Sequence, residues 1–242
     1  MATDPLIPRT TSSMTIRDRA RLVLFVSLVA TVIVYVIEPL RALAYPLLLL
    51  STLAHELGHG LAAMLSGGRF HQLVMHFDGS GVAQWSGPPS RLRLAFVAAG
   101  GLVGPAFAAS FGFLLGRRAR TSRQALGITA ILLAVALLLV VRGVAGMLFV
   151  AVLAVFLGIV ARSASDEIAQ LILVFFSVQL ALSVFSRGDY LFTPVAMTAQ
   201  GAMPSDVGQM ASALFLPYWF WGFVCGAISV VVLILGLRAY WR

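Results

Sequence analysis

Apolar runs of membrane-crossing length dominate the chain, separated by short charged, glycine-rich or proline-bearing stretches. Residues 1–21 are polar and Ser/Thr-rich and close on Arg17, Arg19 and Arg21, which predicts a tail that stops at a membrane surface. Leu22 to Ile37 is the first apolar run. Ala42-Leu43-Ala44 behind it has the A-x-A form of a cleavage site, but Glu38, Pro39 and Arg41 intervene and the polar lead is long. We therefore expect a retained helix. Leu43 to Ser66 is the second run, and Gly67-Gly68 ends it, as glycine does just past a helix.

The period then changes. From Arg69 to Ser86 apolar and polar residues roughly alternate through Phe70, Leu73, Met75 and Phe77, then Val82 and Trp85. Asp78-Gly79-Ser80-Gly81 lies between the halves, so the stretch predicts a β-hairpin in or at the membrane. Longer runs resume at Leu92 to Gly116, where Gly100, Gly101 and Gly104 permit close helix contact and Pro105 predicts a kink. Ala125 to Val141 and Val144 to Ala161 follow, split at Arg142-Gly143 and short enough to be one broken helix or a re-entrant pair. Ile168 to Phe185, a polar loop from Ser186 to Met210, and a last run from Ala211 to Leu237 complete the pattern. The reading is an all-α polytopic membrane protein of seven spans, or six, with a membrane-associated hairpin. Residues 22–242 would form a single transmembrane domain behind the 1–21 tail.

Composition agrees. Of 242 residues, 60 % are hydrophobic and 11 % charged, with a mean hydropathy of +0.96, which excludes an ordinary soluble domain. The net charge of +8 does not imply nucleic acid, because the 17 basic residues, all Arg, sit scattered at the ends of apolar runs. The single Cys225 rules out a disulfide framework and a cysteine metal site. We expect a multi-pass protein of a bacterial cell membrane.

Chemistry concentrates in the second run, as His55-Glu56-Leu57-Gly58-His59. On a helix, residues four apart share one face with Cβ atoms about 5–6 Å apart, so both imidazoles can reach one Zn2+ ion. Glu56, on the flank, can take a proton from a metal-bound water. Ionisable residues inside a membrane helix are costly and rarely idle. A tetrahedral site with one open position needs a third protein ligand. Asp78 suits a turn, and Asp166 and Glu167 suit a helix start. Asp206 and Asp189 remain, both in the loop before the last run. Asp206 is preferred, Asp189 is the alternative, and His71 and His76 follow. Asp206 could instead cap a helix after Pro204, and Asp189 could pair with Arg187. With seven alternating spans, the hairpin and the Asp loop emerge on the same side.

These features resemble the site-2 protease family of intramembrane zinc metalloproteases. The resemblance is carried by the His55–His59 motif, the Gly67-Gly68 break and the hairpin with Gly79-Ser80-Gly81. Pro204-Ser205-Asp206 before a span with Tyr218, Trp219 and Trp221 resembles its compact B-like branch. Other branches carry L-D-G or N-P-D-G around the aspartate and often a PDZ domain; this chain has neither. The resemblance implies zinc on His55, His59 and Asp206, with Glu56 activating water. It also implies hydrolysis of transmembrane or juxtamembrane protein segments within or near the bilayer, at a site open to the cytosol. A hairpin edge around Val74, Gly79, Ser80, Gly81 and Val82 would hold the substrate as an added strand. Other readings are a non-proteolytic membrane scaffold of the same fold, and an ion-relay transporter, which predicts an internal symmetry not visible here. With the tail inside, seven spans place nine arginines inside and eight outside, which leaves orientation to the resemblance.

Overall fold

The computed structural model describes residues 15–186, 190–198 and 201–242. Helix α1, Ile16–Val36, starts ahead of its apolar run because Thr15 caps it, accepting from the Asp18 N–H and donating to the Asp18 carboxylate at 2.6 Å. A 3-10 turn, Glu38–Leu43, leads into α2, Ala44–Leu65. α2 ends in a Schellman motif. Gly67 takes φ +78°, its N–H bonds Met64 O, and the Gly68 N–H bonds Ala63 O at 2.8 Å.

Strands β1, Arg69–Met75, and β2, Gly81–Ser86, form the expected hairpin. In its turn the His76 N–H bonds Ser80 O and the Gly79 N–H bonds His76 O, with Gly79 at φ +85°. Asp78 accepts from the Ser80 hydroxyl and N–H, which holds its carboxyl below its usual range. A two-residue strand β3, Val141–Arg142, pairs parallel to β1, giving the sheet order β2-β1-β3.

Helix α3, Arg91–Gly116, is the central post, packed against α2, α6, α7 and α8. Its glycines bring α2 within backbone contact: a Cβ on Gly58 would lie 2.3 Å from Gly100 O, and one on Gly104 2.9 Å from Ala54 O. Helices α4, Ala119–Leu139, and α5, Val144–Ser163, are two separate full-length helices rather than one broken helix, with β3 as their turn. Helix α6 is Asp166–Ser186.

The last run is not a single helix. Helix α7, Asp206–Leu214, stops where Phe215 adopts φ +65°, and Pro217 precedes α8, Tyr218–Trp241. The loop before α7 carries a second hairpin, β4 Val195–Thr198 and β5 Gly201–Pro204, that alternation did not reveal. Among the described residues, six helices, α2 to α6 and α8, are long and apolar enough to cross a membrane.

The bundle has two distinct ends. The end of α2 meets the start of α3 beside the hairpin base, where Arg93 donates to Ser66 O. At the opposite end Gln170 of α6 donates to Gly116 O of α3, and the Tyr240 hydroxyl of α8 donates to Ala20 O of α1. α1 runs parallel to α6, tied by Arg19 to Glu167 and by Gln179 to Thr31, where 2.5 Å separates the latter pair. The start of α1 therefore lies opposite the hairpin base, whereas seven alternating spans would have put it on the same side as that base.

Candidate metal centre

His55 and His59 project from α2 toward α7, which presents Asp206 at its first helical position. Ser205 is the cap: its hydroxyl accepts from the Gly208 N–H at 3.1 Å and donates to Thr193 O. Asp206 is thus released from the capping role that a proline-preceded aspartate suggests, and its carboxylate points into the bundle, 4 % exposed. The His55 and His59 Nε2 atoms are 3.1 Å apart. Asp206 Oδ2 lies 3.1 Å from His55 Nε2, and Oδ1 lies 3.4 Å from His59 Nε2.

His59 is oriented from behind. Its Nδ1 is 2.8 Å from the Val97 carbonyl of α3, and a carbonyl only accepts, so Nδ1 carries the proton and Nε2 offers its lone pair forward. Room for the ring comes from Gly101, where a Cβ would sit 2.3 Å from His59 Nε2. Glu56 is 5 % exposed and lies against the hairpin: a Cβ on Gly81 would be 3.0 Å from Glu56 Oε1. The carboxylate is therefore pinned between α2 and the start of β2.

The donor set fits a zinc ion. A tetrahedron with metal–ligand bonds of about 2.0–2.1 Å has edges of about 3.3–3.4 Å, near the 3.1 Å between the imidazole nitrogens and the 3.1 Å from His55 Nε2 to Asp206 Oδ2. Asp206 Oδ2 is buried beside His55 Nε2, at 3.1 Å, so a cation there would be held by both. Two imidazoles and a carboxylate are borderline-soft and hard donors of the kind zinc takes.

Among the described residues these three form the cluster able to hold a metal. His71 instead contacts Ser86 Oγ at 2.6 Å on the exposed side of the hairpin, and His76 closes the turn. Asp189 lies outside the described residues. Val74 and Val82 face each other across the ladder. Antiparallel bonding alternates, and the His76–Ser80 bond fixes its phase, so Val74 and Val82 bond each other. Gly81 and Ala83 then turn their N–H and C=O groups to the outer edge of β2, which no described strand pairs. The opposite edge is in use, since the Leu73 N–H bonds Val140 O. Gly79 and Ser80 belong to the turn, with Thr52 donating to Gly79 O at 2.7 Å. Sequence reasoning missed Val97, Ala83 and the site role of Gly101; only the glycine spacing on α3 was a signal.

A family model described as Peptidase M50B-like matches residues 24–236. No curated protein and no solved structure matches the chain.

Proposed function

The chain belongs to the Peptidase M50B-like family, and from that premise we propose that it is an intramembrane zinc metalloprotease, cutting transmembrane or juxtamembrane segments of other proteins. The observation that carries this reading is the convergence of His55, His59 and Asp206 beside a buried Glu56. His55 Nε2, His59 Nε2 and the Asp206 carboxylate would hold the ion. Bound there, zinc supplies Lewis-acid polarisation of a water and of the scissile carbonyl. Glu56 takes the proton of the attacking water on a carboxylate oxygen and delivers it to the departing amine. Val97 keeps His59 in the tautomer that binds. Glu56 and Asp206 are buried, at 5 % and 4 % exposed, and a low-dielectric setting strengthens each of these interactions.

A helix cannot be cut while its carbonyls are bonded within it, so the scissile segment must be extended, and extended backbone in a membrane needs partners. The outer edge of β2 offers them at Gly81 and Ala83, alongside Glu56. Ala83→Pro removes an edge donor at the one kind of strand position proline tolerates. It keeps zinc and expression and loses most cleavage. Val82→Pro instead breaks the bond to Val74 and lowers expression. Wild-type cleavage by Ala83→Pro would mean that substrate is held elsewhere.

Glu56→Gln tests the chemistry. The amide cannot act as a base, so the variant retains zinc while membrane proteins accumulate uncut in a proteome compared with wild type. A zinc-loaded wild type with no protein accumulating in the variant would favour a binding scaffold of the same fold.

A further inference from the structure

We propose that a cavity beside His55, away from the hairpin, holds water bound by Ser51, Ser183 and Ser229 and serves the metal centre as an internal store. The cavity measures about 30 Å³, and its wall includes Ser51 and His55 of α2, Leu102 and Pro105 of α3, Ser183 of α6 and Ser229 of α8. His55 is the wall it shares with the metal cluster. Among the described residues none from the hairpin lines it, whereas Glu56, next to His55 on α2, lies against Gly81.

Serine hydroxyls in a membrane helix usually return to a carbonyl of their own helix. Ser177 does so at Leu173 O and Ser183 at Leu180 O, both at 2.8 Å. Ser51 and Ser229 do not. They are 4 % and 1 % exposed, line the cavity, and have no hydrogen-bond partner among the described residues. A buried hydroxyl left unpaired costs about 1–3 kcal/mol, and each can both donate and accept. Ser183 keeps its lone pairs for a second bond. Pro105 has no N–H, so the Gly101 carbonyl one turn back lacks its i+4 donor and adds an acceptor close by. One water takes roughly 10–15 Å³ of such space and asks for about two to four polar partners, so the cavity suits one or two. An apolar cavity of this size would stay dry; the hydroxyls make this one wet.

The placement gives the water a use, and this part rests on the proteolytic reading. Each peptide bond cut consumes one water, whose hydroxyl goes to the acyl carbon and whose proton goes by Glu56 to the amine. A substrate strand on β2 would cover the Glu56 side of α2 and shut out solvent there. Water held beside His55 then reaches the centre from within the bundle.

X-ray radiolysis tests the water directly, because hydroxyl radicals formed at a bound water oxidise the side chains that touch it. The sample is the full-length, zinc-loaded protein. Leu102, in the cavity wall, is 8 % exposed; Leu133 of α4, packed among buried hydrophobic residues, is 6 % exposed and serves as the reference. We expect Leu102 to be oxidised roughly fivefold faster than Leu133, and the excess to vanish in Ser51→Ala/Ser229→Ala with zinc content unchanged. In a cleavage assay the double variant should lose several-fold in kcat with KM held. Equal oxidation of Leu102 and Leu133 in wild type, or an excess that survives the double substitution, overturns the water site. A normal kcat in a double variant that has lost the excess overturns the supply role. A wild type that shows the excess but cuts nothing would sink the protease and leave the water site standing.

Discussion

At the scale of residues, the site depends on side chains that are absent as much as on those present. Gly101 normally would be a weak point in a helix, since alanine there is favoured by about 1 kcal/mol. Here a methyl would occupy the space of the His59 imidazole, 2.3 Å from Nε2. Gly101→Ala is expected to strip zinc from the purified protein, measured by metal analysis. Gly127→Ala, whose Cβ would meet Ala161 at an ordinary 3.5 Å, should keep zinc and gain stability of up to ~1 kcal/mol. The His55-Glu56-His59 triplet was legible in the sequence because helical periodicity alone puts its members together. Asp206 was reachable by sorting the acids. Gly101 and Val97 were not, because their roles come from neighbours distant in sequence.

Among elements, α7 is the piece whose position decides whether the metal cluster closes. It is a nine-residue helix held by its cap rather than by length. Ser205→Ala removes both the bond to the Gly208 N–H and the one to Thr193 O. We expect a loss of about 1 kcal/mol, the usual value of an N-cap, read as a roughly fivefold weaker zinc Kd in a competition titration. The break that frees α7 from α8 was illegible because Leu214, Phe215 and Leu216 continue the apolar run across it; only Pro217 hints at it. β3 was hidden for a related reason: two residues between long apolar runs carry no alternation. The first hairpin was legible because its strands are long enough to alternate around a turn rich in Asp and Gly.

For the molecule as a whole, the cluster joins α2 to a segment that otherwise contacts mainly α3 and α8. A ligand that binds only the folded form stabilises it by about 2.7 kcal/mol at a hundredfold excess over Kd. Chelation should therefore lower the thermal midpoint by several degrees in wild type and not in Asp206→Ala, followed by intrinsic tryptophan fluorescence. An equal drop in both would show that the chelator acts elsewhere. The six helices of membrane-crossing length were legible from hydropathy. The placement of α1 was not, because counting alternating crossings presumes that every apolar run crosses. Its contacts with Glu167, Gln179 and Tyr240 do not obey that count.

The distance along the chain between the ligands has a consequence in time. His59 and Asp206 are separated by 206 − 59 = 147 residues. At about 5–20 residues per second, a ribosome needs roughly 7–30 s to go from one to the other. During that interval α2 is already in the bilayer with Glu56 and both imidazoles but with no carboxylate to complete them. Newly made chains thus pass the translocon without a complete His55, His59 and Asp206 cluster, and only a chain translated into its final segment can acquire one. A nascent polypeptide truncated before Pro204 would lack one of the three metal-cluster residues.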